Sequence, residues 1–259
     1  MRFLRKAISF FAVSAVMTGL LAGCKQDLPD TQETNDTLVV GTTNFDGKFS
    51  PFFYTNSYEN DILRLVHLYL LDTDREGIVV QKGIQGETRP YNGTDYTYQG
   101  IADCVVTENP DGTVYYDITL REGVRFSDGT VLDIDDVIFS LYVPLDPSYD
   151  GSMTLYSLPI AGLQEYREGD ARSVSGIQKT GNMSLRILLT ELSATALYDL
   201  ATAVVPLHYY GNEALYNYEN QMFGFTKGDL SAVRAVTTAP QGGGPYKFVS
   251  YTGGTVTLE

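Results

Sequence analysis

The 259-residue sequence contains two histidines, His67 and His208, and two cysteines, Cys24 and Cys104. Covalent catalysis needs a nucleophile with a base beside it, and a metal centre needs clustered imidazole, thiolate or carboxylate ligands. Neither pattern is present. The histidines stand 141 positions apart, no G-x-S-x-G occurs, and His208 has no cysteine or carboxylate at ligand spacing. Asp146-Pro147-Ser148-Tyr149-Asp150-Gly151 brings two aspartates to a glycine, but it lacks the ligand alternation and distal glutamate of a calcium loop and reads as a turn. Gly242-Gly243-Gly244 fits neither G-x-x-x-x-G-K-[ST] nor G-x-G-x-x-G, so a tight turn is expected there, not a phosphate cradle. His67 on an apolar helix face reads as structural, and Cys104, beside Val105-Val106, as a small buried hydrophobe. The expectation is a protein that is not an enzyme and takes no metal and no cofactor.

The amino terminus carries a different chemistry. Arg2, Arg5 and Lys6 precede an apolar run from Ala7 to Leu20, too short to span a bilayer comfortably and suited to a signal peptide. Leu21-Ala22-Gly23-Cys24 resembles a bacterial lipobox, which implies cleavage after residue 23 and lipidation of Cys24. Two or three acyl chains would hold such a protein stably on the extracytoplasmic face of the cell membrane, at about 0.8 kcal/mol per buried CH₂. With Cys24 modified, Cys104 has no internal disulfide partner. Removing residues 1–23, which include three basic and no acidic residues, takes the formal charge from −14 to −17. So acidic a chain repels phosphate backbones, and nucleic acid is excluded as a partner. Residues 24–36, nearly devoid of apolar side chains, read as a flexible linker.

The elements that must position any site centre on residues 114–142. Val114–Leu120 is rich in Tyr, Ile and Thr and predicts a strand. Asp128-Gly129 predicts a tight turn, and Asp133, with Asp136 three residues on, predicts the cap of a helix bearing Val137, Ile138 and Leu141. The run Leu120-Arg121-Glu122-Gly123-Val124-Arg125-Phe126-Ser127-Asp128-Gly129-Thr130, followed by Asp135-Asp136-Val137 and Phe139-Ser140, resembles the signature of the family 5 extracellular solute-binding proteins. Pro206-Leu207-His208 and Gly243-Gly244-Pro245-Tyr246 are similar to two further blocks of that family.

The resemblance implies an α/β, periplasmic-binding-protein-like type II fold with mixed sheets. It divides the chain into an opening strand of the first lobe (37–50), an accessory lobe (51–174) and a continuation of the first lobe (175–259), and implies that the sequence is an amino-terminal part lacking the second lobe. It implies a lipid-anchored substrate-binding protein of an ABC importer, with oligopeptides or dipeptides as the expected cargo, capturing ligand by lobe closure and delivering it to a permease. The partners would be a peptide or other small solute, the permease and ATPase subunits, and the membrane through the anchor, with the protein itself a monomer. A surface sensor or adhesion protein on the same scaffold is the alternative. The segment leaving the first strand passes the ligand cleft in that family, so Asn44, Phe45, Gly47 and Phe49 are the expected ligand contacts. For Phe45 and Phe49, core packing is an equal alternative.

Elsewhere, Thr37–Gly41 predicts a buried strand, Ser57 caps a helix running to Leu70, and 83–102 reads as a surface loop, with short strands possible at Ile78–Val80 and Tyr96–Tyr98. Cys104–Thr107 pairs with the central strand through Asp111-Gly112, and Ser175–Lys179 with Ser184–Leu189. Short helices are expected over 157–169, 194–200 and 211–218, and a final strand over 255–259.

Overall fold

The computed structural model describes residues 37–259. The expected leader, linker and Cys24 lie outside them. Residues divide by compactness into Met1–Gly41 and Thr42–Glu259. In the first unit, Thr37–Gly41 forms no strand and Leu38, Val39 and Val40 are exposed. That corrects the buried strand expected there. An apolar run becomes a buried strand only where a neighbouring edge and a core face are supplied, and propensity supplies neither.

In the second unit, β4 (Ala102–Glu108), β5 (Val114–Leu120), β6 (Ile177–Gly181) and β7 (Ser184–Leu189) form an antiparallel sheet in the order β4-β5-β7-β6. Tyr116 pairs with Ile187 and Ile118 with Leu185, so the alternating apolar residues of both strands reach one face. The opposite face takes the cross-strand pair Asp117 and Arg186, whose guanidinium donates twice at 2.6 and 2.9 Å. The β6–β7 hairpin hydrogen-bonds to β5 through β7, so strands on both sides of residue 175 share one sheet.

The buried side of the core is organised by α2 (Ile134–Leu145), eleven of whose twelve residues are buried. Its start is set by charge and geometry together. The Asp133 carboxylate accepts from the Asp135 N–H at 2.9 Å, and the Asp136 carboxylate accepts from the Asp133 N–H at 3.1 Å. Free amides at a helix start are satisfied and the dipole is complemented. Pro144 falls in the last turn, where the helix ends. The polar groups inside this helix are spent on a neighbour: Ser140 Oγ accepts from the Val205 N–H at 3.0 Å, and Asp136 Oδ1 from the Leu207 N–H at 2.9 Å.

Other elements depart from expectation for local reasons. The first helix, α1, spans Ser57–Val66 with Asn56 rather than Ser57 at its cap. It stops before Leu70 because His67 turns extended and β1 (Leu68–Tyr69) pairs with β8 (Ala203–Val204). Residues 87–98 form a hairpin, β2 (Glu87–Tyr91) and β3 (Thr94–Tyr98), which contains the strand expected at Tyr96–Tyr98 and replaces the rest of the expected loop. Its turn is Asn92-Gly93, both at positive φ, the Asn-Gly pattern that favours a two-residue hairpin. Within 157–169 only α3 (Leu163–Glu168) is helical, and within 211–218 a 3₁₀ turn at Glu213–Leu215 leads into β9 (Tyr216–Asn217). The remaining elements are α4 (Ala196–Leu200), α5 (Leu207–Tyr210), β10 (Met222–Phe223), α6 (Ser231–Ala235), β11 (Phe248–Thr252) and β12 (Thr255–Leu258).

Candidate functional site

The segment expected to meet a ligand, Asn44–Phe49, is irregular, and three groups hold it. Glu59, in the first turn of α1 and fully buried, accepts from the Lys48 N–H at 2.8 Å and from the Thr55 N–H at 3.4 Å. Asp46 Oδ2 accepts from Thr55 Oγ1 at 3.0 Å and Asn56 Nδ2 at 3.1 Å, closing the loop on itself. On the far side, Tyr251 of β11 donates its hydroxyl to the Phe45 carbonyl at 3.2 Å. Its ring lies 5.9 Å from that of Phe45 and 5.2 Å from that of Phe49. Phe248 completes the cluster 5.3 Å from Phe49.

The four expected contacts therefore separate by role. Asn44 is exposed and Phe45 half-buried. Gly47 has φ +80° and a Cβ there would meet the Tyr251 ring at 3.4 Å, so glycine serves both the turn and the aromatic seat. Phe49, expected among the contacts, is 0% exposed and anchors the segment. Its ring is spent on Phe45, Phe248 and Tyr251 and has no free face to offer. Glu59, Asp46 and Tyr251 escaped sequence reasoning. For Glu59 a signal existed: Asn56-x-x-Glu59 has the spacing of a capping box, although here the glutamate serves loop amides instead of the cap.

A second cluster lies at the turn after Phe126. Asp128 accepts from the Thr130 N–H and Oγ1, lies 2.7 Å from His208 Nε2, and accepts from Gln241 Nε2 at 2.5 Å. Burial acts to raise its carboxyl, but Thr130, His208 and Gln241 outweigh it and hold the group well below the usual carboxylate range. The Gln241 N–H donates to Tyr210 Oη at 3.0 Å, and Tyr210 in turn lies 3.1 Å from His67 Nε2. His67 Nδ1 faces the Leu63 carbonyl at 3.1 Å. A carbonyl only accepts, so Nδ1 carries the proton and Nε2 accepts from the tyrosine. Burial, opposed by the bond to Leu63, lowers the imidazole to about 4, and His67 is neutral at neutral pH.

The glycine turn is clamped into the same junction. A Cβ on Gly242 would fall 2.3 Å from the Val66 carbonyl, one on Gly243 2.7 Å from the Arg125 carbonyl, and one on Gly244 2.6 Å from the Leu65 carbonyl. The Ser127 N–H donates to the Gly242 carbonyl at 2.8 Å and the Gly244 N–H to Val66 at 2.8 Å. These glycines are needed for close approach of backbones. The three stretches around Asp128, His208 and Gly243, separated by 80 and 35 positions in sequence, thus meet at one place.

The candidate chemistry elsewhere is absorbed by structure. Cys104 is buried, and burial pushes its thiol up to about 12, far from reactive. The Asp146 carboxylate accepts from Ser148 and from the Gly228 N–H at 2.9 Å, as a turn requires. No group of three His, Cys, Asp or Glu residues among the described residues could hold a metal ion.

Comparison with known proteins identifies this scaffold. The family model for "Bacterial extracellular solute-binding proteins, family 5 Middle" matches residues 97–259, well over half the chain. The chain belongs to that family. A curated relative, the oligopeptide-binding protein AppA of Bacillus subtilis, is 24% identical over 94% of this chain and 38% of its own length. The chain thus spans well under half of that relative. AppA solved in complex with a nonapeptide superposes with a TM-score of 0.51 at 22% identity, over 84% of this chain and 34% of its own. A periplasmic oligopeptide-binding protein from Borrelia burgdorferi gives 0.55 at 20% identity, over 84% and 37%. NikZ from Campylobacter jejuni, solved with Ni(L-His), gives 0.51 at 20%, over 82% and 33%. Family 5 membership and these superpositions establish the expected α/β, periplasmic-binding-protein type II fold, of which the chain represents a part.

Proposed function

We propose that this chain contributes to a substrate-binding protein of an ABC importer that captures oligopeptides or dipeptides outside the cytoplasm and delivers them to a permease and its ATPase. The observation that carries the reading is the alignment of 94% of the chain with an oligopeptide-binding protein within the family to which the chain belongs. Binding proteins of this architecture bury a ligand by hinge closure of two lobes, and an extended peptide is held much as an added strand is. In this reading Asn44 and Phe45 face the ligand, while Gly47 and Phe49 hold them in place through Tyr251 and Phe248. The Leu21-Ala22-Gly23-Cys24 motif supports cleavage after residue 23, lipidation of Cys24, and tethering through the 24–36 linker to the outer face of the cell membrane.

The test uses the polypeptide as its own cell makes it. Mass spectrometry of the detergent-extracted protein should find an acylated Cys24 at its amino terminus, and Cys24→Ser should release it from the membrane. Calorimetric titration with a panel of dipeptides to nonapeptides should give saturable binding, weakened at least tenfold by Asn44→Ala or Phe45→Ala. Absence of binding and of thermal stabilisation across the panel would refute the receptor reading.

A further inference from the structure

A cleft of about 210 Å³ lies between Pro51–Tyr54, α1, residues 152–155 and the stretch from Tyr198 to Ala203. It shares no lining residue with Asn44–Phe49. Arg64, exposed on α1, forms one wall, its guanidinium 5.1 Å from the centre of the Tyr69 ring. Among the described residues no carboxylate pairs with it and no hydrogen bond uses its N–H donors. Tyr69 does not neutralise it: burial pushes that phenol up to about 12, against the pull of Arg64, so it is uncharged at neutral pH. The cation–π contact leaves the guanidinium edge, with its fork of donors, free for a planar anion.

The same cleft holds a carboxylate. Asp199 accepts from Thr154 Oγ1 at 2.9 Å and has no cationic partner among the described residues. Arg64 and Asp199 line one cavity without pairing with each other, which leaves room for something between them. Thr202, also in the lining and 5% exposed, has a hydroxyl with no hydrogen-bond partner, an uncommon deficit for a buried polar atom. Tyr54, Tyr69 and the exposed ring of Tyr198 supply aromatic surface. A lone exposed arginine is ordinary. An unpaired arginine and an uncompensated carboxylate in the lining of one tyrosine-lined concavity match the two charges of a zwitterion.

We propose that this cleft is a second binding site, for a small aromatic zwitterion of the size of a free aromatic amino acid. Its carboxylate rests on Arg64, its ammonium on Asp199 and its ring against the tyrosines. The volume lies below the roughly 300–1,000 Å³ of pockets for drug-sized ligands, so a peptide of several residues is not accommodated.

Titration calorimetry on the whole chain with L-phenylalanine, phenylacetate, phenethylamine and L-alanine tests it. L-Phenylalanine should bind one to one and more tightly than the three probes that each lack one feature. Arg64→Gln should weaken it about 10- to 100-fold, as loss of charge-assisted hydrogen bonds predicts. Asp199→Asn should remove its advantage over phenylacetate. Equal affinity for phenylalanine and phenylacetate in the parent, no binding of any probe, or Arg64→Gln binding within twofold of the parent would each overturn the proposal. Circular dichroism checks each variant's fold, and Asp199→Asn carries the test if Arg64→Gln misfolds. Phe45→Ala, outside the cleft lining, should leave phenylalanine binding intact, so failure here is separable from failure of peptide capture.

Discussion

Replacing Tyr210 by Phe isolates the junction of the three sequence blocks. The ring is retained, so its edge contact with Phe52 at 6.2 Å and its packing beneath α2 survive. Only the hydroxyl is lost. That hydroxyl accepts from the Gln241 N–H at 3.0 Å and donates to His67 Nε2 at 3.1 Å, and both Tyr210 and His67 are at most 2% exposed. Each of the two groups left without a partner costs about 1–3 kcal/mol, so the variant should lose about 2–6 kcal/mol. Tyr58→Phe, at an exposed ring, should change stability by about 0.5 kcal/mol or less and serves as the control. Equilibrium urea unfolding of the two variants and the parent measures this directly, with an unchanged slope showing that only stability moved. A Tyr210→Phe loss no larger than that of Tyr58→Phe would refute the claim that this hydroxyl holds the junction together.

Other outcomes follow from the same geometry. Gly243→Ala places a methyl 2.7 Å from the Arg125 carbonyl and should cost about 1–3 kcal/mol, seen as a lowered Tm, whereas Gly228→Ala meets no atom within 4 Å and suffers only its strained φ of +81°. Phe49→Ala should cost about 3–5 kcal/mol in urea unfolding because its ring is wholly buried; Phe45→Ala, half-buried, should cost less and act mainly on ligand affinity in calorimetry. The pH dependence has two opposing parts. His67, lowered from 6.5 to about 4, contributes about 3 kcal/mol that is present above pH 6.5 and lost as pH falls toward 4. Asp136, raised by burial from 3.8 to about 6 against its two N–H donors, contributes a similar amount that is present below pH 3.8 and lost as pH rises through 6. The parent should therefore be nearly flat across pH 4–6, while Asp136→Asn should grow more stable by about 3 kcal/mol as pH rises from 4 to 6.5; identical pH profiles for the two proteins would contradict the assignment.

Much of the scaffold is legible in the chain because it is local. The strand Val114–Leu120, the turn at Asp128-Gly129 and the helix capped by Asp133 follow from alternation, positive φ and an aspartate pair three residues apart. The Asp111-Gly112 hairpin and the Ile177–Leu189 hairpin are readable for the same reason. The β2–β3 hairpin was equally readable from Asn92-Gly93 and was obscured by the many other glycines around it. Helix ends were less so: α1 ends at Val66 because β8, more than a hundred residues away, pairs with Leu68-Tyr69.

The candidate site divides the same way. Residue types alone point to Cys104 as buried core and to a tight turn at Gly242–Gly244, because each depends on composition and short spacing. The roles of Phe49, Glu59, Tyr210 and His67 were decided by tertiary contacts. Glu59 reaches back eleven residues to Lys48, His67 meets a tyrosine 143 positions on, and Tyr251 seats a carbonyl 206 positions before it. A buried polar group needs a partner whatever its distance along the chain, and only the fold determines which group arrives.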